Sequence, residues 1–271
     1  MNDSLTRHVS ATLEAQLSSP NRLELQVALA GAEGLTVDER LSVLLDGAPV
    51  EPLEVVGDHG NRVHVLDGVQ GRLSVSYSAT VEGHGKGVRF TEQDRIVYSR
   101  PSRYAESDRL LNFAAKEFGT GRAGSGLVQD VTSWVGSRLS YVPGSSGPTD
   151  GAGDTLMAGA GVCRDYAHLV IALLRALDTP ARLVAVYAPG CDPMDFHAVT
   201  EVAVDGEWQV VDATLLAPRQ SLLRISTGRD AADTAFLTSF GGGLVLESSV
   251  VTAVVDGDLP VDDVHETVML G

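Results

Sequence analysis

Cysteine is scarce in this chain: Cys163 and Cys191 are the only two among 271 residues. That excludes a disulfide framework and a thiolate zinc site, both of which need more sulfur. In a reducing cytosol both would be free thiols, so the surroundings of each matter. Positive charge is also short. Twenty Lys and Arg stand against 36 Asp and Glu, a formal charge of −16. Phosphate neutralisation needs clustered cations, so a nucleic-acid partner is not expected, nor docking on anionic lipid. No stretch reaches the roughly 18 uncharged apolar residues of a membrane helix. The start, MNDSLTRHVS, shows no apolar segment of a secretion signal, and the expected location is cytoplasmic.

Metal-ligating patterns are wanting as well. Histidines 8, 59, 64, 84 and 265 lack ligand spacing, and no H-E-x-x-H occurs. Asp256, Asp258, Asp262 and Asp263 are acidic enough for calcium, but Pro260 takes a ligand position, leaving a solvated acidic turn. Gly119, Gly121 and Gly124 match G-x-G-x-x-G, yet a helix-like segment precedes them where a dinucleotide site needs a strand. No metal and no cofactor are expected.

What is present is a globular composition, 44% apolar and 21% charged, long enough for one large domain or two modest ones. Residues 8–81 alternate with period two. Val9, Ala11, Leu13, Ala15 and Leu17 share one side, as do Leu23, Leu25, Val27 and Leu29, and later Leu73, Val75, Tyr77 and Ala79. Shorter candidates lie near 40–45, 52–56 and 62–66, with turns at Asp46-Gly47 and Gly57-Asp58. Several strands at this spacing predict an N-terminal antiparallel β-sandwich over 1–85.

The polar, Gly-rich EGHGKG (82–87) marks a boundary, and the period then changes. Helices are predicted over 107–118, from Ser107 to the stop at Gly119, and over 127–139, with Leu127, Val131, Trp134, Val135 and Leu139 on one stripe. The Gly/Ser/Pro-rich 142–161 reads as a loop. CRDYAHLVIALLRAL (163–177) is the strongest helix, halted by Asp178-Thr179-Pro180. Strands are predicted over 181–188, 197–204, 207–214 and 244–255, all within a second domain spanning 86–271.

Cys163 opens the strongest helix after a glycine-rich loop. Free amides and the positive helix end there favour a thiolate and can stabilise an oxyanion. Taken alone, a cysteine is more often a small buried hydrophobe. A second observation strengthens the functional reading. Asp205-Gly206 is a two-residue hairpin signal. With that turn Val204 opposes Glu207, His197 opposes Thr214 and Val199 opposes Asp212. His197 and Asp212 then share a face as diagonal neighbours, about 7–8 Å apart at the backbone and within reach of each other. A carboxylate holding one imidazole nitrogen leaves the other to take a proton from a thiol. His168 is a rival base, but five helical residues turn it about 500° from Cys163, so it reads as a packed or capping side chain. Cys191, in PGCDPMD, has no helix start or neighbouring base in the sequence and reads as incidental. Trp134 and Tyr141 lie on the approach to the 142–161 loop, and core packing accounts for Trp134.

GVCRDYAHLVIALLRAL, then PARLVAV, then DFHAVTEVAVDGEWQVVDAT followed by LLAPR, resembles the bacterial transglutaminase-like superfamily. The likeness extends from YSRPSRYAESDRLL to RISTGRDAADTAFLTSFGG, roughly residues 97–243. It implies an α+β fold with a papain-like core behind a small β domain, and the catalytic order Cys, His, Asp, matched by Cys163, His197 and Asp212. It implies acyl transfer or hydrolysis on amide bonds of a protein or peptide substrate through a thioester, resolved by a lysine amine or by water. Arg164 and Asp165 match the pattern beside the cysteine and read as structural. No calcium framework accompanies the motif, so calcium activation is not carried over. The superfamily also includes inactive relatives. A non-catalytic scaffold of the same fold, or an acyltransferase using a small thioester donor, therefore stands as an alternative. The oligomeric state is left open.

Overall fold

The computed structural model describes residues 5–270; Met1–Ser4 and Gly271, the outer ends of the two expected domains, lie outside them. An α+β architecture results, with two antiparallel sheets and a set of helices grouped on one of them.

The first sheet is built on two long strands, β1 (Thr6–Leu25) and β5 (Arg62–Gly83), paired antiparallel. Between them in sequence come β2 (Leu35–Leu45), β3 (Ala48–Pro49) and β4 (Leu53–Val56); β2 pairs with one half of β5 and β4 with the other. The alternation read from the sequence is the burial pattern: Val9, Ala11, Leu13, Ala15 and Leu17 are all buried, and so are Leu73, Val75 and Tyr77. What looked like two strands in 8–29 is one, interrupted by an irregularity between Leu17 and Leu23.

The helical part runs α1 (Glu92–Tyr98), α2 (Ser107–Phe118), α3 (Ser125–Arg138), a short β6 (Ser140–Tyr141), α4 (Ala152–Ala158), a short β7 (Ala160–Gly161) and α5 (Cys163–Ala176). The second sheet holds β8 (Ala181–Tyr187), β9 (His197–Val204), β10 (Glu207–Val211) and β11 (Leu223–Gly228) in the order β10-β9-β8-β11. A single turn, α6 (Ala231–Thr234), then leads to β12 (Leu237–Phe240) and β13 (Leu244–Val255). The stretch read as a 142–161 loop therefore contains a helix and a strand pairing. The start of α4 is held by the Asp154 carboxylate, which accepts from the Gly151 N–H at 3.0 Å.

Helix α5 is the central element. Every residue from Asp165 to Ala176 is buried, because α2, α3 and α4 surround it and the second sheet lies beneath. Its apolar side chains join Ala181, Leu183, Ala198 and Val202 of the sheet in one cluster. The opposite face of that sheet carries Val184, Val186, Val199 and Val210, closed off by Leu270 and Val268 from the C-terminal tail. On that same face Glu201 is fully buried between two arginines, Arg182 at 2.7 Å and Arg224 at 2.6 Å. The Trp208 ring lies 3.9 Å from the Arg182 guanidinium.

The domain boundary differs from the sequence reading. β12 pairs with Arg22–Leu25 of β1, and β13 pairs with Arg7–Leu17 of the same strand, so both C-terminal strands complete the N-terminal sheet. A division into 1–85 and 86–271 thus cuts across one hydrogen-bonded layer. The reason is partner choice. Val251 and Ala253 alternate inward to match the apolar side of β1, and a period of two in β13 fits any open edge equally well. The second layer facing this sheet is supplied by the other one. Tyr187, Leu223 and Ile225 join the apolar cluster of the first sheet. Tyr187 stacks on Tyr77 at 6.2 Å and donates its hydroxyl to the Val27 carbonyl at 2.7 Å.

Candidate active site

Cys163 is the first residue of α5. The helix starts here because Val162 is extended and the Asp165 carboxylate accepts from the Val162 N–H at 2.8 Å, capping the turn from inside. Asp165 is fully buried and ties down the preceding loop. It accepts from the Ser146 hydroxyl and pairs with Arg164 at 2.9 Å, while Arg164 donates to the Gly147 carbonyl at 2.8 Å. Arg164 and Asp165 thus do the structural work expected of them, fixing the loop that leads to the cysteine. Gly161 is required at the same place, since a β-carbon there would lie 2.6 Å from the Asp165 β-carbon.

The hairpin register is the one deduced from Asp205-Gly206. Val204 opposes Glu207 and Thr200 opposes Val211, and both turn residues have positive φ, 53° and 84°. Continued one step past the ladder, that register sets Asp212 opposite Val199, diagonal to His197 on the same face. His197 Nε2 lies 2.8 Å from Asp212 Oδ2. Both side chains are almost wholly buried. The other carboxylate oxygen, Oδ1, accepts from the Thr214 N–H at 2.8 Å and its hydroxyl at 2.7 Å. Thr214 was not singled out in sequence, although D-x-T is a recognisable side-chain-to-backbone turn.

The start of α5 meets the start of β9. Cys163 Sγ lies 4.0 Å from the Phe196 carbonyl oxygen, directly before His197. With Nε2 occupied by Asp212, Nδ1 of His197 is the nitrogen left for the sulfur. Electrostatics follow. Burial alone would depress the His197 pKa, but the Asp212 charge, its hydrogen bond and the contact with Cys163 outweigh it. The imidazole is held well above its ordinary value. Burial would raise the Asp212 pKa, and the His197 charge and the bonds from His197 and Thr214 bring it below its usual value. The structure therefore brings Cys163, His197 and Asp212 together, with a hydrogen-bonded ion pair behind the sulfur.

His168 lies elsewhere. Its Nε2 accepts from the Ala231 N–H at 3.1 Å at the start of α6, its ring stacks on Tyr104, and burial lowers its pKa to about 4. Trp134 packs edge-on against Phe113 and Phe118 and donates to Glu117 at 2.8 Å. Two residues stand closer to the site than their sequence context shows. Cys191 is buried on the loop preceding His197; burial raises its pKa first, opposed by the His197 charge, with Cys163 and Asp212 also acting on it. Tyr141 of β6 pairs with Gly161, two residues before Cys163, and burial first and then the Cys163 charge raise the pKa of its phenol. Among the described residues no three His, Cys, Asp or Glu side chains are grouped to hold a metal ion, and no helix is long and apolar enough to cross a membrane.

A cavity of about 350 Å³ opens behind Asp212, between α3 and the 211–215 loop, with Gln129, Ser133, Thr214, Arg219 and His265 among its walls. Asp212 is among its lining residues, while Cys163 and His197 are not.

A cysteine at a helix start, facing an imidazole and a carboxylate on neighbouring antiparallel strands, is the core arrangement of papain-like folds. Comparison with known proteins narrows this. The transglutaminase-like superfamily matches residues 112–213. A crystal structure of a Cytophaga hutchinsonii protein, provisionally described as a cysteine protease, is 34% identical with a TM-score of 0.87, covering 96% of this chain and 94% of that one. An uncharacterized Mycobacterium leprae protein is 26% identical over 152 residues, 53% of this chain and 54% of its own. One from Mycobacterium tuberculosis is 30% identical over 168 residues, 55% of this chain and 52% of its own. The chain spans about half the length of these curated relatives. This chain belongs to the transglutaminase-like superfamily.

Proposed function

We propose that the chain is a cysteine-dependent acyl-transfer enzyme acting on amide bonds of proteins or peptides, with Cys163 as nucleophile, His197 as proton carrier and Asp212 as the group that orients it. One observation carries the reading. His197 Nε2 is locked on Asp212 at 2.8 Å, which leaves Nδ1 for Cys163 at the start of α5. An imidazole used only for packing does not need a buried carboxylate held at both oxygens.

Cys163 Sγ attacks the carbonyl carbon of a carboxamide or peptide bond, and the carbonyl π pair moves onto oxygen. Collapse breaks the C–N bond, and His197 delivers its proton to the departing ammonia or amine. The thioester that remains is attacked by water or by a primary amine, whose proton returns to His197, and the C–S bond breaks to release the acyl product and restore the Cys163 thiolate. Asp212 stabilises the imidazolium at each stage. The provisional description of the Cytophaga protein favours water and a peptide substrate. The acidic balance, 36 Asp and Glu against 20 Lys and Arg, supports a protein or peptide partner over nucleic acid or anionic membrane.

The test is iodoacetamide alkylation with peptide mapping, on wild type and His197→Ala. Cys163 is expected to label much faster than Cys191 at neutral pH and to lose that advantage in His197→Ala. Equal, slow labelling of both thiols in wild type would sink the mechanism in favour of a scaffold role.

A further inference from the structure

Strand β10 ends where the chemistry begins. It is the outermost strand of the second sheet, and its ladder with β9 stops at Val211 and Thr200, one residue before Asp212. Among the described residues no strand pairs with its other side; a single bridge from Arg89 meets it at Glu207, the far end. An uncovered edge of this kind leaves backbone groups unpaired and its end free to shift. The carboxylate that orients His197 therefore needs a second support.

The C-terminal tail and Arg219 give it one. Both backbone groups of Val210, two residues before Asp212, are taken up outside the sheet. The Val210 N–H donates to the Val268 carbonyl at 2.8 Å, and the Val210 carbonyl accepts from Arg219 Nη1 at 3.1 Å. Arg219 lies buried on the single turn Arg219–Ser221 and is itself held. Its main-chain N–H, Nε and Nη2 donate to the Asp262 carboxylate at 2.9, 3.0 and 2.8 Å, and Nη2 also reaches the carbonyls of Asp263 and Glu266. Asp262 is thus no member of a solvated acidic turn, as its sequence context suggests; it is the counter-charge of a buried guanidinium. A planar fork gripped by a bidentate carboxylate keeps little freedom to turn.

Resting on the acyl-transfer reading, we propose that Arg219, held by Asp262, is a positioning residue for the reaction: it fixes the end of β10 and with it the Asp212 carboxylate against His197. The side-chain hydrogen bonds of Arg219 go to neither Cys163 nor His197. Its effect passes through the Val210 backbone to Asp212 and reaches the thiol only by way of the imidazole. The tail from Asp262 to Val268 is then part of the support of the site, far as it stands from Cys163 in sequence.

The experiment uses Asp262→Ala, with Asp262→Asn as the conservative variant that keeps the volume and one accepting oxygen. Val251→Ala, buried on β13, is the control that loosens the other sheet. Three quantities are read: the rate at which p-nitrophenyl acetate acylates Cys163, the midpoint of the His197 imidazole in a nitrogen-detected NMR titration, and the thermal midpoint of unfolding. Asp262→Ala is expected to slow acylation by about tenfold, short of the roughly 100-fold that attends a full ångström of misplacement, and to move the His197 midpoint down. Asp262→Asn should recover part of both losses. Val251→Ala should lower the thermal midpoint and leave the other two quantities as in wild type. If both Asp262 variants merely melt earlier, with acylation and the imidazole midpoint unchanged, Arg219 is a brace of the fold and the inference falls alone. It falls equally if Val251→Ala moves the imidazole midpoint as far, since general loosening would then be the cause. A wild-type Cys163 inert to p-nitrophenyl acetate would instead remove the acyl-transfer reading itself, and this inference with it.

Discussion

Thr214 donates twice to one oxygen of Asp212, from its amide at 2.8 Å and from its hydroxyl at 2.7 Å, while the second oxygen meets His197 at 2.8 Å. The carboxylate is thereby fixed in rotation as well as in position. Asp212→Asn keeps the shape but replaces one acceptor by a donor, and turnover of p-nitrophenyl acetate is expected to fall on the order of 10²–10⁴-fold. Thr214→Val removes one hydrogen bond at constant volume and is expected to cost about tenfold. Equal activity of Asp212→Asn and wild type would show that Asp212 does not orient the base.

The same pair sets a pH signature. His197 is held above its ordinary value, so its stabilising contribution is complete below an unfolded-state pKa of about 6.5 and disappears as pH rises through the higher folded value. The stability difference between wild type and His197→Ala should therefore be largest in acid and shrink in alkali. Asp212 works in the opposite sense, contributing above its unfolded value and losing that contribution as pH falls through its lowered folded one. Nitrogen-detected NMR titration of the imidazole should show His197 still charged at pH 7, with the midpoint moved down in Asp212→Asn. An unmoved midpoint would refute the ion-pair account.

Glu201 lies between Arg182 and Arg224. Burial opposes its ionisation, yet the two guanidinium charges hold its pKa down to about 2. Glu201→Gln leaves two arginines buried without their counter-charge and is expected to destabilise by about 3–5 kcal/mol, read by urea unfolding. The native carboxylate contributes above pH 4.5 and loses that contribution as pH falls toward 2. Wild type and variant should therefore converge in stability across that window. Parallel curves would place the stabilisation elsewhere.

Two glycines make a matched pair. A β-carbon on Gly161 would lie 2.6 Å from the Asp165 β-carbon, whereas one on Gly153, inside α4, meets nothing within 4 Å. Gly161→Ala is expected to cost about 1–3 kcal/mol and to slow Cys163 alkylation by shifting β7 against α5. Gly153→Ala should be neutral or stabilising by about 0.4–1 kcal/mol, through lost freedom of the unfolded chain. Similar effects from both would mean that close packing at Gly161 is not what positions the cysteine.

Local periodicity and turn chemistry made much of this site legible. The Asp205-Gly206 hairpin fixes parity, and parity alone puts His197 and Asp212 on one face. The apolar run after Cys163 marks α5 because all its sides are buried. Long-range pairing was not legible. Nothing in Leu244–Val255 says that its partner is β1, and nothing in Ser140-Tyr141 says that it will pair with Ala160-Gly161. α1 escaped notice although Thr91 and Asp94 form its capping box, because seven residues are too few to show a period. Cys191 reads as incidental in sequence because its distance from Cys163 conceals that both thiols lie within reach of the His197 charge.

The pairing of β13 with β1 also has a meaning for the order in which the molecule is made. β1 emerges before β5 and β13 during synthesis, and β5 can cover one of its sides early. Its other side, from Arg7 to Leu17, stays open until β13 arrives. Throughout that interval the growing polypeptide carries an unpaired edge, with one apolar face, that invites pairing with other chains. A chain that stops before residue 244 never closes that edge, even though Cys163, His197 and Asp212 have all been made. The strand that seals the β1 edge thus follows the reactive residues in the chain, so the edge closes only after Cys163, His197 and Asp212 have all been made.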